Sequence, residues 1–323
     1  LSVAKALMPD HVTAWTRVIA WINLVVNIII VGTGGLVRLT GSGLGCPTWP
    51  LCTEDSLVPT REMGIHGIIE FGNRTLTGVV VVAALLTFLA VLNTRRSRMG
   101  LVGPSVWVGA LIIVQAVVGG ITVLVDLDPR IVGVHFLFSA LIVAIAALLL
   151  QRVRLAEPLP ARGPTKGAPA LWGSAVAVGI LTWITEIVGV LTTGAGPHAG
   201  DTIAARNGLD PVIMQHVHAW PGYALVVSLV VFLVIVFRGD YPRTRPISVS
   251  LTLAVLLQIG IGVFQARTGL PIWSVATHMV LAVVVIAILS VTLVNARRDS
   301  AARLTREDGK NGAGTVHLPV ASV

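Results

Sequence analysis

The sequence predicts an all-α membrane protein whose eight transmembrane helices form two tandem, pseudo-symmetric four-helix bundles. Three observations predict it. Apolar runs of roughly twenty residues recur eight times, basic residues gather on alternate connections, and one motif pattern occurs twice. The composition agrees: of 323 residues, 54% are hydrophobic and 12% charged, and the mean hydropathy is +0.86. A soluble domain carries about a quarter charged residues, so this chain lacks the polar shell that an aqueous surface requires. The net charge of +8 does not indicate a nucleic-acid binder, because no basic patch interleaves with aromatic side chains.

The spans are expected at Trp15–Val37, Met63–Leu92, Ser105–Val125, Ile131–Gln151, Leu171–Thr193, Val212–Phe237, Ile247–Arg267 and Trp273–Asn295. Each suffices for about 30 Å of hydrocarbon. The first has Lys5 ahead of it and Arg17 at its start and is long enough to span, so it reads as a retained helix, not a cleaved signal. Five segments on one side hold 17 Lys and Arg, the opposite loops and helix ends six. Basic residues favour the cytoplasmic side, so a multi-pass protein of the cell membrane with both termini cytoplasmic is expected. The organisation follows: an N-terminal segment 1–14, a first bundle 15–151, a cytoplasmic linker 152–170, a second bundle 171–296 and a disordered cytoplasmic tail 297–323.

The repeat is visible in the motifs. Thr40-Gly-Ser-Gly after the first span recurs as Thr193-Gly-Ala-Gly after the fifth. Gln115 precedes His135 by the same twenty residues that separate Gln258 from His278, and Gly119 and Gly262 fall at matching offsets. Both copies start on the same side, so the repeat is parallel, about an axis along the membrane normal. Helix bundles build cofactor sites between facing helices, so duplication predicts two related sites.

Five histidines, His66, His135, His216, His218 and His278, fall in or at the ends of even-numbered spans, and none falls in odd ones. An imidazole inside a membrane is costly unless it serves a site or pairs within the bundle. Two imidazoles from neighbouring helices can ligate one haem iron axially, and the natural pairs are His66 with His135 and His218 with His278. His216 and His218 point to nearly opposite faces, and His218 is the favoured ligand. Zinc or copper would require three or four close donors, a spacing no span offers. Glu70 lies one turn after His66. It reads either as the i+4 partner of Arg74 or as a proton acceptor beside a haem edge. Glu186 reads as structural. Cys46 and Cys52, six apart in a Gly- and Pro-rich loop outside the cytoplasm, can close a small disulfide ring, either as a staple or as a redox-active pair.

These residues resemble the haem A synthase family, which converts haem O to haem A in cytochrome oxidase assembly. The resemblance runs through Gly34-Gly-Leu-Val-Arg38, Thr40-Gly-Ser-Gly, Trp49-Pro-Leu-Cys52, Ile69-Glu-Phe-Gly-Asn-Arg74 and Gln115…Gly119-Gly-Ile-Thr-Val123. It continues through Val134-His135, Thr193-Gly-Ala-Gly-Pro-His-Ala-Gly-Asp201, His218-Ala219 and His278. It implies oxidation of a haem O methyl to a formyl group by successive water-derived hydroxylations, with a haem b cofactor held by His218 and His278. It also implies His135 as a ligand of the substrate haem and Glu70 as the acid assisting oxidation. Many members read Glu-x-x-His-Arg where this chain has Glu70-Phe-Gly-Asn73-Arg74. Either His66, two turns earlier, supplies the missing imidazole, or the substrate iron has one protein ligand. The second-bundle loop around His198 also lacks cysteines. A haem O synthase, an unidentified electron acceptor and a second copy of the chain stay open as partners. The competing readings are a di-haem electron-transfer cytochrome without substrate chemistry and a transporter built on parallel repeats.

Overall fold

The computed structural model describes residues 3–94, 99–160 and 167–313. Among them the regular structure is all helical. A short α1 (Val3–Leu7) is followed by α2 (Ala14–Leu39), α3 (Gly64–Leu92), α4 (Val102–Leu124) and α5 (Pro129–Leu155). Then come α6 (Pro169–Ala195), α7 (Pro211–Arg238), α8 (Thr244–Arg267) and α9 (Ile272–Ala313). The eight helices α2 to α9 are long and apolar enough to cross a membrane, and the chain is a multi-pass membrane protein. Even α4, the shortest at 23 residues, extends about 35 Å.

Local chemistry sets the helix starts. Thr13 opens α2 with a capping box: its hydroxyl accepts from the Thr16 N–H at 3.3 Å, and the Thr16 hydroxyl accepts from the Thr13 N–H at 3.2 Å. Both α5 and α7 begin with Asp-Pro. Asp128 accepts from the Arg130 N–H, and Asp210 accepts from the N–H groups of Val212 and Ile213. Proline at the first helical position gives up no needed donor, so the two helices start alike. Pro221 sits inside α7 without ending it, as membrane helices tolerate.

Two apolar cores form. One joins α2 to α5, the other α6 to α8, and α9 serves both. Val283, Ile286 and Ala287 face the first core, while Val285, Leu289 and Ala296 face the second. The i, i+3, i+4 spacing puts each set on its own face, and α9 is therefore the seam. Gln151 of α5 strengthens the seam by donating to the Asn295 Oδ1 of α9 at 2.7 Å. The outer surface carries Ile113, Val227 and Ile68, all more than 60% exposed, a face suited to hydrocarbon.

The tail departs from expectation. The helix does not give way to disorder after Asn295; α9 continues to Ala313, and residues 314–323 lie outside the described ones. Tertiary bonds hold the polar extension. Asp299 accepts from the N–H groups of Arg243 and Thr244 and from the Thr244 hydroxyl. Arg298 donates to Glu157 at 2.9 Å, and Glu157 also receives both guanidinium nitrogens of Arg243. Of the linker, residues 161–166 lie outside the described ones.

Candidate functional site

A cavity of about 790 Å³ runs between the helices of both bundles. Its lining repeats with the register of the chain. On α5, Val132, His135, Phe136 and Ser139 line it; on α9 the residues 143 positions later, Val275, His278, Met279 and Ala282, do the same. The same step relates Gln115 and Gly119 of α4 to Gln258 and Gly262 of α8. Glu70, Asn73, Arg74 and Thr77 of α3 correspond, 145 positions on, to Gln215, His218, Ala219 and Gly222 of α7. On α2 and α6 the step is 155: Val31 and Gly34 correspond to Glu186 and Gly189. This regularity is consistent with a tandem duplication.

Three imidazoles face this space, and each lies against a glycine of the preceding helix. A methyl added to Gly119 would sit 2.8 Å from His135 Cε1, one on Gly189 2.9 Å from His218 Cε1, and one on Gly262 3.0 Å from His278 Cε1. Only a residue without Cβ admits the rings so close to the helix axis. The paired glutamines hold the histidine backbone: Gln115 Nε2 donates to the His135 carbonyl at 2.8 Å and to Ser139 Oγ at 2.5 Å, and Gln258 Nε2 donates to the His278 carbonyl at 3.1 Å. The Nδ1 atoms of His135, His218 and His278 are buried without a hydrogen-bond partner, as are the Oε1 atoms of both glutamines. Buried polar atoms are ordinarily paired, so this cluster marks a place for a bound group.

The rings of His218 and His278 have centres 6.5 Å apart and planes at 81°. Two metal–imidazole bonds of about 2.0–2.1 Å, with about 1.2 Å from each nitrogen to its ring centre, reach almost that separation. That separation leaves room for one metal that both rings would hold, and a porphyrin iron would suit a two-imidazole donor set. Among the described residues no group of three or more His, Cys, Asp or Glu converges as a bare-metal site would require.

The first half is furnished differently. Glu70 is 4% exposed and paired with Arg74, which donates Nε at 3.0 Å and Nη2 at 2.5 Å to Oε1. Glu70 Oε2 accepts from the Cys46 N–H at 2.6 Å. Arg74 reaches on to the carbonyls of Cys46, Thr48 and Leu51. The ion pair therefore clamps the loop between α2 and α3 onto the cavity, and the loop is closed by the Cys46–Cys52 disulfide, both cysteines fully buried. Trp49 of this loop lies against Gly120 of α4 and lines the cavity with Pro50.

The structure does not bring His66 to His135. His66 is exposed, does not line the cavity, and its Nδ1 is 2.8 Å from Ser42 Oγ. It belongs to the first turn of α3, where the backbone of the Cys loop at Gly45 packs on its carbonyl. Asn73 takes the cavity position instead, its Oδ1 accepting from the Thr33 hydroxyl at 2.8 Å. Of the two histidines on α7, His218 lines the cavity and His216 is exposed. Glu186, expected to be structural, lines the cavity and has no hydrogen-bond or ion-pair partner among the described residues.

Sequence reasoning missed two features. Gly189 cradles His218 as Gly34 faces Asn73, but the loops between these helices differ in length, so no equal spacing marks the pair in the sequence. Arg38 donates to the His198 carbonyl at 2.8 Å and the Thr193 carbonyl at 3.1 Å, tying the two bundles together at their loop end. The signals for Arg38 are its place at the end of the Gly34-Gly-Leu-Val-Arg38 segment and beside the repeated Thr-Gly motif.

Comparison with known proteins gives consistent matches. The family described as COX15-CtaA, cytochrome oxidase assembly protein, matches residues 17–290. A protein named Heme A synthase from Listeria welshimeri is 28% identical over 304 residues, covering 88% of this chain and 96% of the relative. Its Listeria monocytogenes namesake is 28% identical over 302 residues with the same coverage. Heme A synthase of Geobacillus kaustophilus is 33% identical over 153 residues, 46% of this chain and 45% of the relative.

Proposed function

The chain belongs to the COX15-CtaA family of cytochrome oxidase assembly proteins, and from that premise we propose that it is a haem A synthase. It oxidises a methyl group of haem O to a formyl group by successive water-derived hydroxylations, in the cell membrane with both termini cytoplasmic. One observation carries the reading: three glycine-seated imidazoles and a buried carboxylate–guanidinium pair line a single cavity. Relatives named Heme A synthase that align with most of the chain support the same substrate.

His218 and His278 would hold haem b, and His135 would hold the substrate haem on the first side. A bound haem b supplies an outlet for the electrons removed from the methyl group. The chain's own residues do the rest. Glu70 stands at the cavity wall, where a carboxylate can take a proton as water adds to the oxidised carbon. Arg74 fixes its position and shares its charge, and the Cys46–Cys52 loop with Trp49 covers that end against bulk water.

The test is haem analysis of membranes in which the chain is co-expressed with a haem O source. Haem A should accumulate together with haem b bound to the purified protein. A preparation that binds only haem b and leaves supplied haem O unchanged would be an electron-transfer cytochrome instead.

A further inference from the structure

The cavity has four equivalent ligand positions, of which three are histidine and the fourth is Asn73. We infer that the first half holds its iron porphyrin through His135 alone, leaving the iron face toward Asn73 open to a small exogenous ligand. The inference rests on the reading that a porphyrin occupies this half, and adds that its iron differs in coordination from the one in the second half.

Three observations support it. The register puts Asn73 where α7 has His218, facing Gly34 as His218 faces Gly189. A methyl on Gly34 would be 3.9 Å from the Asn73 amide, against 2.9 Å from the His218 ring at Gly189, so the shorter side chain leaves room where an imidazole would stand. Second, the amide is a poor iron ligand: its nitrogen lone pair is delocalised into the carbonyl, and its oxygen is already engaged by the Thr33 hydroxyl at 2.8 Å. Third, His66 cannot make up the loss. It lies seven residues before Asn73 on a continuous helix, about 10 Å along the axis, and it is exposed with its Nδ1 at Ser42. Axial ligands across one iron stand about 4 Å apart, nitrogen to nitrogen.

The consequence is a division of spin state and reactivity. Haem between His218 and His278 has both axial sites filled, is low-spin and ignores carbon monoxide. Haem on His135 is high-spin and, when ferrous, binds it.

The experiment uses the full chain purified from cells supplying haem O, read by ferric electron paramagnetic resonance and ferrous carbon monoxide difference spectra. The expected result is a mixture of low- and high-spin haem in which only the high-spin population takes carbon monoxide. Asn73→His should abolish that binding and convert the high-spin signal to low-spin. Asn73→Ala, which adds no ligand and tests the site even if the histidine variant fails to fold, should keep both. His66→Ala should leave every signal unchanged, and His135→Ala should remove the carbon monoxide-binding haem. If both haems are low-spin and His66→Ala turns one high-spin, the inference fails while the porphyrin reading stands. If His135→Ala leaves haem content and spectra unaltered, no porphyrin occupies the first half, and both fail.

Discussion

In the second half of the cavity two imidazoles stand 6.5 Å apart across α7 and α9; in the first half the same register offers one imidazole, one amide and an ion pair. Where α7 has Gln215 and Ala219, α3 has Glu70 and Arg74. The backbone plan is shared, down to the glycine behind each ligand position. The difference lies in the side chains that line each half. On the proposed reading, a site with two facing imidazoles and no ion pair would hold a cofactor and pass electrons, whereas a site with one imidazole, a clamped carboxylate and a covering loop could act on what it binds. On that reading a repeated scaffold carries two roles, set apart by the residues at a few lining positions.

The largest effect that would break this comparison comes from His278→Ala. Loss of one of two facing ligands should remove the low-spin haem signal and, with its electron outlet gone, stop haem A formation altogether. An unaltered spectrum would exclude His278 as a ligand. Next is Glu70→Gln, which keeps the shape but has one accepting oxygen, so it can keep the Arg74 bond or the Cys46 N–H bond but not both as the carboxylate does, and it cannot take a proton. Turnover should fall by about 10²–10⁴-fold, the usual share of a general base, with haem content unchanged. Full activity in this variant would reduce Glu70 to a clamp for the loop.

Much of the fold behind this comparison is legible in the sequence. The eight spans follow from apolar run length, and the fifth, expected at Leu171–Thr193, is found at Pro169–Ala195. The Gln115–His135 and Gln258–His278 pairs were visible as equal spacings, and the structure joins each pair by a hydrogen bond. That the sequence left His66 open as a substitute at the Asn73 position has a physical cause. Residues 66, 70 and 73 share one helical stripe, and periodicity states which face turns inward but not where along the helix the cavity begins. That limit is set by the Cys loop packing over the first turn of α3. The continuation of α9 was hidden for a related reason: a polar sequence tied down by tertiary bonds such as those to Glu157 and Thr244 carries no local sign of them.

The glycine cradles sharpen the comparison at smaller scale. Gly119→Ala places a methyl 2.8 Å from the His135 ring, so the ring must shift, at the cost of about 1–3 kcal/mol usual for overpacking and with a changed first-half haem spectrum. Gly34→Ala meets only the Asn73 amide, at 3.9 Å, and should be neutral or stabilise the helix by up to about 1 kcal/mol. Equal spectral shifts in the two variants would mean that both positions carry a ligand. Cys46→Ser tests the disulfide that closes the loop of the first half and has no counterpart in the second. Opening so short a ring should lower stability by about 2 kcal/mol on the loop-entropy account, read as a fall in melting temperature. If haem A formation survives that change under reducing and oxidising conditions alike, the disulfide is a staple.

The smallest expected effect separates the matching starts of α5 and α7. Asp210 caps α7 through backbone N–H groups, whereas Asp128 also receives the Arg130 guanidinium at 3.0 and 2.6 Å. The Arg130 side chain and N–H hold the Asp128 carboxyl down from 3.8 to about 2. A carboxylate depressed in the folded state contributes stability that is complete above its unfolded value and is lost as pH falls through the folded one. The parent protein should therefore lose a small increment of stability between pH 3.8 and about 2, small because the pair is exposed and screened. Asp128→Asn keeps a capping oxygen but has nothing to titrate, so its melting curve should lack that increment. If variant and parent lose stability in parallel across this window, the Arg130 pair contributes nothing to the fold, and the two helix starts are equivalent in energy as well as in sequence.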